Sequence, residues 1–268
     1  MPTASEGHQL VVCCLKWGER YADGYVDRLR RAVADHLQRP HRFVCFTDEA
    51  DELGDGIEVR PLPDIPLQRN AWNRGIWPKL GLFAADTFEP GTPVLYLDLD
   101  VLVLGDLERF TDRLLTEGGL HIIREWNPTL LTVLPVALRP DRGGNSSVVA
   151  WIAGEQSHIF DRFCADPDAA RASCRNDQQF ISLHARGRSY WPHRWCGSFK
   201  RHCVWYWPLS KLRGTPRRPD WCSVLVFHGK PDPSDLIVDD PTHRWGSRRR
   251  FGYGPVVWVQ DYWRRYGS

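Results

Sequence analysis

The stretch Val94–Leu104 reads VLYLDLDVLVL, an apolar run that is interrupted by two carboxylates. A short continuous apolar run predicts a buried strand in a sheet that is covered on both faces. Asp98 and Asp100 lie two residues apart, so on a strand their side chains point to the same side. If the strand ends or bends there, both carboxylates leave the core at its carboxyl-terminal edge, where open α/β sheets bind ligands.

The sequence before this stretch predicts alternating strands and helices. Three apolar runs are predicted strands, over residues 9–15, 41–48 and 56–63. Apolar residues recur at helical spacing over residues 26–37, ahead of Pro40. A second helix is predicted within residues 72–86, with Pro78 in its first turn and with Leu80, Leu82 and Phe83 buried after it. Strand–helix–strand order with continuous apolar strands is typical of a mostly parallel sheet flanked by helices.

The sequence after this stretch becomes less regular near residue 140. Strands are predicted over residues 118–125, 146–154 and 223–229, and helices over residues 158–166, 176–185 and 256–266. Asn176 or Asp177 is the predicted N-cap of the second of these helices. The segment 241–255 is rich in glycine and arginine and is predicted to be a loop. We expect one α/β domain with a substrate-facing second half.

Composition excludes several classes of protein. The 268 residues are 42 % hydrophobic and 25 % charged, and a net charge of +2 gives no support for a nucleic-acid partner. We expect no secretory signal and no integral membrane segment, because no apolar run approaches the roughly 18 residues that a span needs. None of the eight cysteines forms a CxxC pair, and several lie in apolar runs. A reducing, cytoplasmic location follows as an expectation.

The aspartate pair is compatible with a metal site or with a purely structural role. Two carboxylates at a strand end suit Mg²⁺ or Mn²⁺, but they also cap turns or pair with arginines. A P-loop NTPase would need GxxxxGK[ST], which the sequence lacks. A haloacid-dehalogenase-like phosphatase would use Asp98 as its nucleophile, with Lys230 and Asp239–Asp240 as partners. That class carries its aspartates after its first strand, whereas three predicted strands precede Asp98 here.

Seven motifs in order resemble a known family over roughly residues 11–233. They are CLKWGERY, FVCFTD, WPKLGLF, YLDLDVLVLGDL, GGNSSVVAW, NDQQF and FHGKP. In this order they resemble the bacterial glycosyltransferases of the GT-A fold, nearest to family eight. The resemblance implies a Rossmann-like, mixed and mostly parallel sheet in a single domain with an irregular C-terminal half. Residues 1–140 or so would bind the nucleotide-sugar and residues 141–268 would face the acceptor.

The resemblance also implies a function and its cofactor. A hexosyltransferase-like enzyme would move a sugar from a nucleoside diphosphate sugar, of the UDP type, to a saccharide or another hydroxyl acceptor. Mn²⁺ or Mg²⁺ would be held by Asp98, Asp100 and His228. The third class of protein that fits the sequence is a non-catalytic glycan-binding protein, since many of the 13 tryptophans lie in the second half. Flat aromatic rings suit sugar faces, but they also pack in cores.

The implied donor-binding and catalytic residues follow from the motif positions. The donor-binding residues would be Lys16, Trp17, Tyr21, Lys79, Asp98, Asn145, Ser146, Gly229 and Lys230. Ser147 stands where relatives have a glycine, which weakens the expected close approach of the backbone to the sugar. Asp177 and Gln178 match the acidic–Gln pair at the reaction centre, although Asp177 would also serve as a helix cap. In an inverting enzyme Asp177 would be the base, and in a retaining one the leaving phosphate would take the proton.

Several of these residues have an alternative structural reading. Trp17 or Tyr21 would stack on the base or pack onto the adjacent helix. Lys79 would reach a phosphate or lie as a charge on a helix surface. Lys230 would bind a phosphate, since glycine at position 229 lets backbone approach it, or lie in a solvated loop.

Overall fold

The structure is a computed structural model that describes residues 8–22, 24–49, 53–72, 75–127, 131, 134–135, 138–205 and 214–267. Its strands are β1 (Leu10–Lys16), β2 (His41–Thr47), β3 (Glu58–Arg60), β4 (Pro93–Leu97), β5 (Val101–Val103), β6 (Leu120–Arg124), β7 (Gly144–Ile152), β8 (Arg188–Tyr190), β9 (Cys196–Ser198), β10 (Val224–Val226), β11 (Arg244–Gly246) and β12 (Phe251–Tyr253). Its α-helices are α1 (Tyr25–His36), α2 (Glu108–Glu117), α3 (Ser157–Ala165), α4 (Pro167–Ser173), α5 (Asp177–His184) and α6 (Val257–Tyr266).

A mixed sheet of seven strands organises the described residues, in the order β3-β2-β1-β4-β7-β6-β8. The strands β3, β2, β1 and β4 are mutually parallel. Strand β7 runs antiparallel to both β4 and β6, and β8 is parallel to β6. The carboxyl ends of β1 and β4 therefore meet at one edge of the sheet, next to the start of β7. The predicted mostly parallel sheet flanked by helices is confirmed.

Both faces of the sheet are covered, which explains the continuous apolar strands. Side chains alternate along β1, so Val12 and Cys14 pack in one cluster with α1, α2 and α6. Val11 and Cys13 pack in the other cluster with α3, α5 and the segment 77–83. Strands that are buried on both faces do not alternate between polar and apolar residues.

The stretch 94–104 forms two strands in two different sheets. Strand β4 ends at Leu97, the backbone turns at 98–100, and β5 begins at Val101. Strand β5 pairs antiparallel with β10, which pairs parallel with β9 in a small second sheet. The predicted end of the strand at the aspartates is confirmed. The apolar residues after them build this second sheet, which the sequence did not predict.

One predicted helix is of the 3₁₀ type, and one predicted loop is wrong. The helix predicted within residues 72–86 lies over Trp77–Phe83 with Pro78 in its first turn, and all seven of its residues are buried. A fully buried connector has no polar face, so the amphipathic criterion does not apply to it. The segment 241–255 contains the β11–β12 hairpin and is not a plain loop. Its Arg250 is buried and donates to the Val204 carbonyl at 2.8 Å, which fixes the hairpin on its neighbour.

The remaining expectations about composition agree with the structure where it tests them. All eight cysteines are free thiols, and seven of them are buried. A buried thiol acts as a small apolar side chain, as the apolar runs indicate. Within the described ranges no helix is long and apolar enough to cross a membrane.

Candidate active site

The two aspartates lie in a turn that two neighbouring strands hold in place. The backbone N–H of Asp98 donates to the Ser147 carbonyl at the start of β7, at 3.0 Å. The carbonyl of Asp100 accepts from the N–H of Phe227, just after β10, at 3.0 Å. The turn is thus tied to the main sheet on one side and to the small sheet on the other. Its position at the carboxyl end of β4 is the edge where open α/β sheets bind ligands.

Asp98 is oriented by two donors. Lys79 Nζ lies 2.9 Å from Asp98 Oδ1, and the Tyr96 hydroxyl donates to the same oxygen at 2.6 Å. Tyr96 belongs to β4, two residues before Asp98, so its side chain leaves the strand on the same side. One carboxylate oxygen is therefore fully engaged in holding the side chain in a single orientation.

Lys79 is the centre of a buried network that joins β4, β7 and α5. Its Nζ also donates to Ser146, at 3.1 Å to the carbonyl and 3.0 Å to Oγ. The Ser146 hydroxyl donates to Asp177 Oδ2 at 2.7 Å, and Lys79 Nζ lies 3.5 Å from that same oxygen. Lys79 and Asp177 are each 2 % exposed. The surface-charge reading of Lys79 is wrong, while its contact with a phosphate stays a prediction.

The protonation states of this network follow from burial and from charge. Burial opposes the charged form of Lys79, but Asp98 and Asp177 outweigh it and raise the pKa of the ammonium group. Burial raises the pKa of Asp177, and the nearby Lys79 and the Ser146 hydrogen bond work against that rise. Lys79 is therefore a firmly charged cation that is shared by two carboxyl groups.

Asp100 departs from the expectation that both carboxylates leave the core. The residue is only 6 % exposed. Burial raises the pKa of Asp100 to about 8, the charge of Asp98 adds to the rise, and Arg20 opposes it. Arg20 is the cation at its carboxylate, with NH2 3.7 Å from Oδ2. Two carboxylates in one turn, one of them with a raised pKa, are oxygen donors of the kind that a divalent cation prefers.

The loop after β1 brings further predicted residues to the pair. Trp17 and Tyr21 line a small cavity of about 40 Å³ together with Arg20, Tyr96 and the aspartates. The Tyr21 ring also lies 5.2 Å from the Tyr25 ring of α1, so it both packs and faces the cavity. Lys16 is buried at the end of β1, and its Nζ forms an ion pair with Glu49 at 3.0 Å. A donor contact by Lys16 stays a prediction.

His228 occupies a different environment from the aspartate pair. Its Nε2 lies 2.7 Å from the Ser198 hydroxyl, and its ring stacks on Trp126 with centroids 5.3 Å apart. Burial lowers the pKa of His228 to about 4, and the charges of Lys200 and Arg201 add to the effect. In the parts of the chain that the structure describes, no three His, Cys, Asp or Glu side chains are grouped to hold a metal ion. The triad of metal ligands therefore stays a prediction.

Gly229 and Lys230 follow His228 in an exposed loop. Gly229 has φ +70°, in the left-handed region that favours glycine, and a Cβ there would meet open space apart from Lys200 Nζ at 3.9 Å. Lys230 forms ion pairs with Asp232 at 2.8 Å and Asp235 at 3.1 Å. Lys230 is 58 % exposed, so these contacts hold it only weakly and its role towards a phosphate stays a prediction.

Asn145 and Gln178 meet at the start of β7 and of α5. Asn145 Nδ2 donates to Gln178 Oε1 at 3.4 Å, and Asn145 Oδ1 accepts from the Ser147 N–H at 3.1 Å. Asn176 caps α5 by accepting from the Gln179 N–H, so Asp177 is released from the capping role. The structure thus brings the predicted pair 177–178 to the same edge as the aspartates.

Three residues near the pair were missed by sequence reasoning. Arg20 lies in the loop that follows β1, and its position shortly after the end of a strand could have indicated a place at the ligand-binding edge. Tyr96 precedes Asp98 by two residues in the same strand, and that periodicity also pointed to it. Asp232 raises the pKa of Asp100, and no local pattern connects these two residues.

Comparison with known proteins gives a result at the level of structure. No family model and no curated protein sequence matches the chain. The galactosyltransferase LgtC in complex with donor and acceptor sugar analogues superposes with a TM-score of 0.55, at 18 % identity, over 84 % of this chain and 89 % of that one. A mutant of LgtC with an active-site glutamine replaced by glutamate gives a TM-score of 0.57 at 17 % identity, with the same coverage.

A third structure covers more of this chain. The apo form of the glycosyltransferase GlyE from Streptococcus pneumoniae superposes with a TM-score of 0.59, at 11 % identity, over 97 % of this chain and 60 % of that one. The fold is GT-A. At these identities the likeness establishes the fold alone. Asp98 follows the fourth strand along the chain, β4, whereas the phosphatase reading needs its aspartates after the first strand.

Proposed function

We propose that the protein is a metal-dependent glycosyltransferase that moves a sugar from a nucleoside diphosphate sugar, of the UDP type, to a hydroxyl acceptor. The observation that carries the proposal is the orientation of Asp98 by Lys79 and Tyr96 beside the buried Asp100, at the ligand-binding edge of a GT-A sheet. The similar structures are themselves glycosyltransferases, and one was solved with donor and acceptor sugar analogues. The resemblance of the motifs to family eight supports the hexosyltransferase class.

The donor set supports a bound Mn²⁺ or Mg²⁺. Two carboxylates that share a buried site repel each other, and the raised pKa of Asp100 reflects that repulsion together with burial. A divalent cation would reduce the repulsion between the carboxylates and offset the cost of burying them, and carboxylate oxygens are its preferred ligands. His228 would join as a neutral nitrogen ligand once it leaves Ser198. The cation would stabilise the negative charge that develops on the departing nucleoside diphosphate.

The chain's own residues would prepare this site. Lys79 would hold Asp98 in place from behind, because its ammonium group is engaged with two carboxylates and with Ser146. Asp177 is buried against Lys79, so its first role is to position that network. Gln178 is only half-buried and is held by Asn145, so it is the better candidate to meet the sugar. Trp17 and Tyr21 would contact the base or ribose from the loop after β1.

Calorimetric titration of nucleoside diphosphates, with and without Mn²⁺, tests the proposal. We expect Mn²⁺-dependent binding that Asp100→Asn weakens by about tenfold or more, since one charged ligand is lost. Asp240→Asn changes an exposed carboxylate elsewhere and is the matched control. Equal nucleotide binding by the parent protein with the metal chelated would contradict the proposal.

Two further assays, glycan binding and aryl phosphate turnover, distinguish the two alternative functions. Binding of a glycan without nucleotide or metal, and no nucleotide binding at all, would favour a non-catalytic glycan-binding protein. Turnover of an aryl phosphate that depends on Asp98 would favour a phosphatase.

A further inference from the structure

A second, larger cavity lies beside the candidate active site. It has a volume of about 570 Å³ and is bounded by the end of β6 and by the segments that flank β8 and β9. We call it the arginine–tryptophan cavity, after Arg124, Trp126, Arg139, Trp191 and Arg201, which line it. A volume of several hundred Å³ is typical of small-molecule sites.

The aromatic side of this cavity is held rigidly. The Trp191 indole donates to the Val148 carbonyl at 3.0 Å, and its ring stacks on His121 with centroids 4.9 Å apart. Trp126 stacks on His228 at 5.3 Å. Trp191 also stacks on Trp195, with centroids 5.9 Å apart, so it forms a buried wall. Trp126 is the indole suited to the apolar face of a sugar ring.

The charge of the cavity is predominantly positive. Its lining includes three arginines, at 124, 139 and 201, against a single carboxylate, Glu125, among the lining residues that the structure describes. Arginine binds carboxylates and phosphates through paired N–H groups.

A chain of side chains connects the cavity to the candidate reaction centre. The Glu125 carboxylate accepts a hydrogen bond from Asn145, and Asn145 donates to Gln178 at 3.4 Å. A molecule bound in the cavity beside Glu125 would therefore be connected to Gln178 through Asn145. Asp177, the residue before Gln178, shares Lys79 with Asp98 of the donor side.

We propose that the arginine–tryptophan cavity binds the acceptor, and that this acceptor is a saccharide with an anionic group, either a phosphate or a carboxylate. The assignment as acceptor site rests on the proposed glycosyltransferase function. Arg201 and Arg139 bind the anionic group, Trp126 contacts the sugar face, and Glu125 accepts a hydrogen bond from a sugar hydroxyl.

Ligand-observed NMR titration of the full chain, without nucleotide or metal, tests the ligand class. The probes are glucose, glucuronate, glucose 6-phosphate and inorganic phosphate. We expect at least one anionic sugar to bind about tenfold more tightly than glucose, and more tightly than inorganic phosphate, because a charge-assisted hydrogen bond adds to ring stacking. The glucuronate and glucose 6-phosphate titrations distinguish a carboxylate from a phosphate.

Two arginine variants locate the binding. Arg201→Gln and Arg139→Gln lie in different segments, and each is expected to remove most of the preference for the anionic sugar. Arg171→Gln, on the exposed surface of α4, is the matched control and is expected to retain the preference. Circular dichroism confirms that each variant is folded, and two independent variants keep the test decisive if one is not.

Three outcomes would overturn the inference. Glucose binding as tightly as both anionic sugars would refute the anionic class, and inorganic phosphate binding as tightly as the sugars would refute a saccharide. Displacement of the anionic sugar by UDP with Mn²⁺ would place it in the donor site. Because the titration contains no donor, a failure of nucleotide binding tests the proposed function separately.

Discussion

Lys79 and Asp177 form a buried ion pair, with Nζ 3.5 Å from Oδ2 and with each side chain only 3 % exposed. The two residues come from the 3₁₀ segment 77–83 and from the first turn of α5, which pack in the same cluster on one face of the sheet. Asp98 and Ser146 complete the environment of the ammonium group. This network positions Asp98 and depends on contacts that are distant in the sequence.

Removal of the Lys79 charge is expected to destabilise the fold strongly. Lys79→Met keeps much of the side-chain volume but leaves Asp177 buried without its cation, which costs about 3–5 kcal/mol in the free energy of unfolding. Ser146→Ala removes only hydrogen bonds to Oγ, so its cost is about 1–2 kcal/mol. Urea unfolding of both variants measures the difference. Equal stability of Lys79→Met and the parent protein would show that the pair contributes nothing.

Asp177 and Gln178 are expected to separate into structural and catalytic roles. Asp177→Asn loses the ion pair with Lys79, so we expect lower stability as well as lower activity. Gln178→Ala alters a half-buried side chain, so we expect near-parental stability and a turnover that falls on the order of 10²-fold. Transfer or donor hydrolysis and urea unfolding are measured on the same samples. A Gln178→Ala variant with full turnover would remove it from the reaction centre.

His228 is expected to exchange its hydrogen bond with Ser198 for a metal ligand bond. Ser198→Ala removes the competing partner, so Mn²⁺ affinity in the presence of nucleotide rises by roughly two- to tenfold, the worth of one net hydrogen bond. His228→Ala is expected to lower the same affinity. Calorimetry measures both variants. Weaker Mn²⁺ binding in Ser198→Ala would instead mean that Ser198 supports the metal-bound form.

His121 is expected to make the fold sensitive to acid. Burial lowers the pKa of this imidazole, Arg113 adds to the effect, and the Gly118 carbonyl and Glu117 oppose it. The unfolded chain therefore binds a proton near pH 6.5 that the native state refuses. Stability is full above about pH 6.5 and is lost as the pH falls below it, with a slope of at most ~1.4 kcal/mol per pH unit from this one group.

His121→Phe tests this contribution, because it keeps a ring against Trp191 and cannot be protonated. Urea unfolding at about pH 7.5, 6 and 5 is expected to show a weaker decline than in the parent protein. An unchanged decline would assign the acid sensitivity to other groups.

Local patterns in the sequence predicted some elements correctly and missed or misassigned others. The apolar run before Asp98 identified β4, and helical spacing identified α1 to within one residue at its ends. The segment 77–83 was assigned to the wrong helix type, because all of its side chains are buried and it has no amphipathic period. The segment that forms the β11–β12 hairpin is rich in charged residues and does not show a strand pattern. Its two short strands pair with each other, and Trp245 of β11 is buried in the core.

The sequence by itself determined the alternation of strands and helices in the first half and placed Asp98 and Asp100 at the end of a strand. These features depend on neighbours within a few residues, so periodicity and turns record them. Only the tertiary structure decided that Asp100 is buried, that Lys79 joins Asp98 to Asp177, and that His228 is held by Ser198. Such contacts depend on which distant segments meet at the same edge of the sheet. A charge that is buried there needs an oppositely charged or hydrogen-bonding partner.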